Sequence, residues 1–123
     1  MTRDDDLPLY DLLRAVVVAR WAAERLYAQG DAPSSKNLEA VSDVLAGLSE
    51  DLAELGHAAP YNSAVRQRVI DLRTDLDGHL RAAMAMGDLE LPRHRSAVLL
   101  RIARSVAAEL ESTVGTVQSR RTA

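Results

Sequence analysis

Apolar residues recur at spacings of three and four in four segments of the chain, which are separated by breaks at 30–34, 56–60 and 87–92. Each break has Gly where a helix would end and Pro where the next helix would begin. Connections this short join antiparallel neighbours. The pattern therefore predicts an all-α, single-domain antiparallel four-helix bundle, with helices near 7–29, 35–55, 62–86 and 92–117.

Three of these helices have a single apolar stripe, as expected of helices that bury one face. The predicted core positions are Leu38, Val41, Leu45, Leu48, Leu52 and Leu55 in the second helix, Val65, Val69, Leu72, Leu76, His79, Ala83 and Met86 in the third, and Leu99, Ile102, Ala103, Val106, Leu110, Thr113 and Val117 in the fourth. This register places one imidazole, that of His79, in the core.

The first helix has two apolar rows. The row predicted to be buried consists of Leu9, Leu12, Leu13, Val16, Ala19, Ala23, Leu26 and Tyr27. A second row of Tyr10, Val17, Trp21 and Ala28 lies about 100–130° around the helix. Exposed Trp and Tyr side chains on one line are typical of protein interfaces. We therefore expect the row to contact a second copy of the chain or another protein, unless the helix is packed so deeply that both rows are buried.

Polar residues mark the ends of the predicted helices. Residues 1–6 form an acidic segment, and Asp4 to Asp6 suit the positive end of the first helix dipole. Ser34 or Ser35 is a candidate cap for the second helix, and Asn62 or Ser63 for the third. The bundle is expected to span 7–118 and to be followed by a frayed basic tail at 119–123.

Composition narrows the possible functions. The chain has no Cys, which excludes disulfides and thiolate chemistry, and no cofactor is predicted. We see neither a signal peptide nor a membrane span, so the protein is expected to be cytoplasmic. Fourteen Arg residues against the single Lys36 resemble the coding bias of high-GC bacterial genomes. A net charge of −3 with few aromatic residues does not favour nucleic acid as the partner.

The pair of Asp75 and His79 is one candidate for chemistry. The two residues lie one helical turn apart, so the carboxylate could orient the imidazole as a general base or phosphoryl acceptor. Histidine phosphotransfer domains are bundles of similar size, but their acceptor His is followed by spaced Lys and Gly residues that this chain lacks. The segment from Arg73 to His79 resembles the loosest form of the Arg-x4–6-His motif of HEPN ribonucleases. The alternative is a boundary histidine that Asp75 satisfies and that neighbouring apolar side chains partly cover.

A cluster of carboxylates on the second helix is another candidate. The segment 50–54, with Glu50, Asp51 and Glu54, resembles the EExxE element of MazG-like nucleotide pyrophosphohydrolases, and that resemblance implies carboxylates that hold Mg²⁺ against a triphosphate. The family continues with ExxD on the next helix, where this chain has only Asp71 and Asp75. The alternative is a solvated acidic face opposite the leucine stripe.

Positive charge gathers near the start of the fourth helix, where it opposes the helix dipole. Arg93, Arg95, Arg101 and Arg104 could bind an anion there, or Asp88, Glu90 and the acidic face of the second helix could neutralise them. Taken together, the sequence favours a non-enzymatic interaction or regulatory module that self-associates through the first helix. A small all-α enzyme that uses the Asp75–His79 pair or the acidic face is the alternative.

Overall fold

A computed structural model of the chain describes residues 6–29, 34–58, 63–85 and 92–122, and these residues form four α-helices. The helices are α1 (Asp6–Gln29), α2 (Ser35–Ala58), α3 (Ser63–Ala85) and α4 (Pro92–Thr122). Each helix contacts the next one along the chain, and α4 returns to α1, which closes the bundle. Neighbouring helices run in opposite directions. Arg20 of α1 contacts Glu111 of α4, and Tyr27, further along α1, contacts Arg104, which comes earlier in α4. The predicted fold class is confirmed.

The four helices are not equally close to one another. The contact between α1 and α4 is the most extensive, and α3 contacts α2 more extensively than it contacts α4. Across the bundle, α2 and α4 also touch, whereas α1 and α3 have at most sparse contacts. The cross-section is therefore a rhombus in which α1 lies at one end of the longer diagonal, where its outer side is turned away from every other helix.

The predicted stripes of α2 and α4 are confirmed, because all their core positions are buried. The core is built from Leu, Val, Ile and Ala, together with the buried hydroxyl residues Ser49, Ser96 and Thr113. The hydroxyl of Thr113 donates to the carbonyl of Glu109, 2.9 Å away on its own helix. Such a bond satisfies a buried hydroxyl without a partner from another helix.

The predicted register of α3 was wrong at its C-terminal half. Leu80 is buried and His79 is exposed, while Val65, Val69, Leu72, Leu76 and Ala83 are buried as predicted. Because α3 packs more closely against α2 than against α4, its buried arc is turned towards α2. That rotation takes in Leu80 and leaves His79 on the side that faces α4. Met86, which was also predicted to be in the core, lies outside the described residues.

The predicted buried face of α1 was partly wrong. Leu13 and Tyr27 are exposed, and Ala15 and Ala22 are buried instead. Since α1 packs between α4 and α2, its buried arc is centred on Leu12, Ala19 and Leu26, and the two alanines cover the part of that arc nearer to α2. Ala23 is partly buried.

Two of the predicted helix ends also differ. The helix α2 continues through Gly56 to Ala58, where the sequence predicted an end at 55. Gly56 is buried, and a β-carbon on it would lie 3.2 Å from Cγ1 of Ile70, so its small size serves close contact with α3. The helix α4 extends to Thr122 because no Gly or Pro follows Gly115, so four of the five residues predicted as a frayed tail are helical.

The start of α2 follows the predicted capping. The Ser34 hydroxyl accepts a hydrogen bond from the backbone N–H of Asn37 at 3.1 Å, which satisfies one of the N–H groups left without a partner in the first turn. The acidic residues Asp4 and Asp5, the cap candidate Asn62 and the connections at 30–33, 59–62 and 86–91 lie outside the described residues.

Candidate interaction surface on α1

The exposed apolar surface is concentrated on one helix. In the described residues, six large hydrophobic side chains are exposed, and five of them belong to α1: Tyr10, Leu13, Val17, Trp21 and Tyr27. The sixth is Ile70 on α3. Tyr10 and Val17 each keep about two thirds of their surface in contact with solvent, at 69% and 66%, and Trp21 keeps 41%. The row predicted for contact with a partner is therefore left uncovered by the other three helices.

This row points directly away from the core. At 100° per residue, Tyr10, Val17 and Trp21 are centred about 180° around α1 from the buried Leu12, Ala19 and Leu26. This places the row further from the buried face than the sequence suggested, because the buried face is centred differently. A helix of another molecule could approach this side of α1 without meeting α2 or α4.

Two charged residues complete the row. Arg14 and Glu24 lie between its apolar positions, so that Tyr10, Arg14, Val17, Trp21, Glu24 and Ala28 form one continuous line at alternating spacings of four and three. We call this line the outer seam. Its ends are 18 positions apart, so it is about 27 Å long. Its spacing is that of a helix that pairs with another helix along its length.

The charged side chains around the outer seam differ in how they are used within the chain. The Cζ atom of Arg25 lies 5.5 Å from the centre of the Trp21 ring, and the Cζ atom of Arg104, on α4, lies 5.5 Å from the centre of the Tyr27 ring. Arg20 pairs with Glu111 of α4, with an Nε–Oε2 distance of 2.6 Å. Within the part of the chain that the structure describes, neither Arg14 nor Glu24 has an ion-pair partner. Both are exposed, Arg14 at the edge of a groove that α1 shares with α2 and Glu24 at the edge of one that α1 shares with α4, so both can reach a partner.

The Asp75–His79 pair lies in a groove between α3 and α4. Both side chains are exposed and line the groove with Asp71 and Glu109. No hydrogen bond joins Asp75 to His79 in the described residues, although the sequence made one geometrically natural. Arg68 also lines this groove, and it donates to the hydroxyls of Thr116 at 2.8 Å and Ser112 at 2.9 Å. Arg68 therefore ties α3 to α4.

The carboxylates of α2 are divided between two places. Asp51 and Glu54 line a groove between α1 and α2 with Asp11 and Arg14, whereas Glu50 is exposed and does not line it. In the described residues, no three His, Asp or Glu side chains converge as metal ligands. The structure thus brings together two of the three candidate Mg²⁺ ligands, and it adds a cation to them.

The candidate anion-binding arginines are also only partly assembled. Arg101 and Arg104 are exposed and line a shallow groove on α4 with Leu100 and Ser105. Arg95 is half-buried, and the side chain of Arg93 lies outside the described residues. Because Arg104 is also stacked on Tyr27, it belongs in part to the margin of the α1 surface.

Sequence reasoning missed a polar contact between α2 and α3. The buried hydroxyl of Ser49 donates to Oδ1 of Asp77, and Oδ2 of the same carboxylate lies 3.2 Å from Nε of Arg73. Ser49 and Asp77 each directly follow a core leucine, Leu48 and Leu76, which is the only signal that the sequence offers. The contact fixes the register between α2 and α3, because a hydroxyl buried without a partner would be costly.

Replacing Asp77 with Ala should lower the free energy of unfolding by about 1–2 kcal/mol, because the buried Ser49 hydroxyl would lose its acceptor. Chemical denaturation measures the change. Asp75→Ala is the matched control, since Asp75 is exposed and makes no such bond, and it should change stability by less than about 0.5 kcal/mol. Equal effects of the two substitutions would contradict this assignment.

None of the helices within the described residues combines the length and the apolar character that a membrane crossing needs. Comparison with protein-family models, with curated proteins and with solved structures gives no match.

Proposed function

We propose that the chain is a non-enzymatic interaction module that self-associates through the outer seam of α1. The observation that carries this proposal is the concentration of exposed large apolar side chains on one helix, three of which lie along a line that faces away from the core. Contiguous exposed apolar surface on a folded domain is characteristic of interaction sites. A homodimer would remove that surface from water in both copies.

The type of side chain supports an interface as well. Trp and Tyr are enriched where proteins bind one another, because they bury a large area and keep a polar group for the rim. Arg25 already lies against Trp21, and Trp, Tyr and Arg are the residue types enriched among those that dominate binding energy. Burial of a large apolar side chain such as Val17 is worth about 1.5–3 kcal/mol.

The proposal is tested by introducing a charge into the centre of the seam. Val17→Glu should raise the dimer dissociation constant at least about 30-fold, which corresponds to the loss of about 2 kcal/mol. Sedimentation velocity across a range of protein concentrations measures this shift. Because Trp21 is the only Trp in the chain, its emission should also move to the red as the wild-type protein is diluted and the dimer dissociates.

Ile70→Glu is the matched control, since Ile70 is the one exposed large hydrophobic residue of the described chain that is not on α1. This variant should keep the wild-type association, with circular dichroism to confirm that both variants remain helical. A wild-type protein that sediments as a monomer at all accessible concentrations, with Trp21 emission that does not change on dilution, would refute self-association.

A further inference from the structure

The order of residues along the outer seam points to the orientation of the two copies. We infer that two α1 helices pair antiparallel about a two-fold axis at the level of Ala19, so that Arg14 of each copy contacts Glu24 of the other. This inference rests on the proposed self-association and adds to it the geometry of the pair.

The six positions of the seam are matched in pairs about residue 19. In an antiparallel pair, positions equally distant from the axis face each other. Tyr10 then faces Ala28 of the second copy, Arg14 faces Glu24, and Val17 faces Trp21. Each layer thus sets a large side chain against a smaller one or a positive charge against a negative one, and the two-fold axis repeats each layer twice.

The parallel arrangement lacks this complementarity. With both helices in the same direction and in register, each seam residue faces its own copy, so Arg14 meets Arg14 and Glu24 meets Glu24. Like charges brought together at the centre of an interface oppose association. The parallel arrangement would also place Trp21 against Trp21 and Ala28 against Ala28, and the layers of the interface would then have very unequal widths.

Charge complementarity is also what selects a second copy as the occupant. Neither Arg14 nor Glu24 pairs within its own chain in the described part of the structure, although both are exposed. An unrelated partner would have to supply an anion and a cation about 15 Å apart along the seam, since the two residues are separated by about ten positions at 1.5 Å each. The same seam, reversed, supplies both.

Cross-linking between single cysteines distinguishes the two orientations, because the chain has no Cys of its own. The experiment uses Tyr10→Cys and Ala28→Cys chains with a short bismaleimide linker. An antiparallel pair brings residue 10 of one copy to within helix-contact distance of residue 28 of the other, about 8–10 Å between helix axes. In the same pair, the thiols that two Ala28→Cys chains carry are about 27 Å apart, beyond the reach of the linker.

We therefore expect cross-linking when the two variants are mixed and none with the Ala28→Cys variant alone. Cross-linking of Ala28→Cys to itself, with no cross-link that joins residue 10 to residue 28 in the mixture, would overturn the antiparallel pairing while leaving self-association intact. A protein that sediments as a dimer but cross-links in neither sample would also overturn this pairing. A protein that does not dimerise at all would overturn both the pairing and the proposed function.

Charge reversal gives an independent measurement. Arg14→Glu alone should raise the dissociation constant roughly tenfold, because each carboxylate introduced at position 14 would face Glu24 of the other copy. Combining it with Glu24→Arg should return the constant to within about threefold of the wild-type value, since the opposite charges are restored. An unchanged constant in the single variant, as a parallel pair predicts, would contradict the inference.

Discussion

Replacing Leu80 with Ala is expected to lower the free energy of unfolding by about 2–4 kcal/mol, whereas His79→Ala should change it by less than about 0.5 kcal/mol. Leu80 is buried where α3 packs against the neighbouring helices, so truncation of its side chain removes apolar contacts and leaves a cavity. His79 is exposed and contributes little to the core. The two substitutions are adjacent in sequence, so the comparison tests the register of α3 directly by thermal or chemical denaturation.

The opposite result would support the register of α3 that a strict heptad predicts, with His79 in the core. If His79→Ala were the more damaging substitution and Leu80→Ala the milder one, α3 would have to be rotated by about 100° from its position in the structure. Leu76→Ala serves as the reference, since Leu76 is fully buried and belongs to the core in both registers. It should cost at least as much as Leu80→Ala.

The second large effect is a gain in stability from three glycines inside helices. A β-carbon added at Gly47, Gly78 or Gly115 would meet no atom within 4 Å. Ala is about 0.5–1 kcal/mol more stable than Gly in the interior of a helix, because the glycine backbone loses more entropy on folding. The triple Gly→Ala variant should therefore gain about 1.5–3 kcal/mol, measured by chemical denaturation.

Gly56 provides the contrast within the same protein. Its added β-carbon would lie 3.2 Å from Cγ1 of Ile70, so the gain in helix propensity is offset by the displacement of that side chain. Gly56→Ala should therefore gain less than any one of the other three substitutions. A gain as large as theirs would show that α2 and α3 have room to separate at this point.

The fold was predictable from sequence where one helix face is clearly apolar. The stripes of α2 and α4 are strict, because Leu or another aliphatic residue stands at almost every third or fourth position while the opposite face is charged. The third helix was harder, since Leu80 follows His79 directly and either residue can continue the stripe. The choice depends on how far α3 is turned towards α2, which is a property of the assembled bundle.

The surface of α1 was predictable in part for a similar reason. Two apolar rows on one helix favour leaving one outside, unless both are buried, and the row of Tyr10, Val17, Trp21 and Ala28 was predicted to be the outer one. The sequence did not show that Leu13 and Tyr27 would join the exposed side, because their spacing fits either face. The contact between Ser49 and Asp77 could not be predicted, since it joins residues 28 positions apart and depends on the register between two helices.

The contact between α1 and α4 requires the chain to close a longer loop than the contact between α2 and α3 does. The residues that join these helices are far apart in sequence, 91 positions for Arg20 and Glu111, against 28 for Ser49 and Asp77 between α2 and α3. Loop-closure entropy grows with the logarithm of that separation, so bringing α1 to α4 costs about 1 kcal/mol more than bringing α2 to α3. The most extensive contact of the bundle thus forms where chain entropy opposes it most.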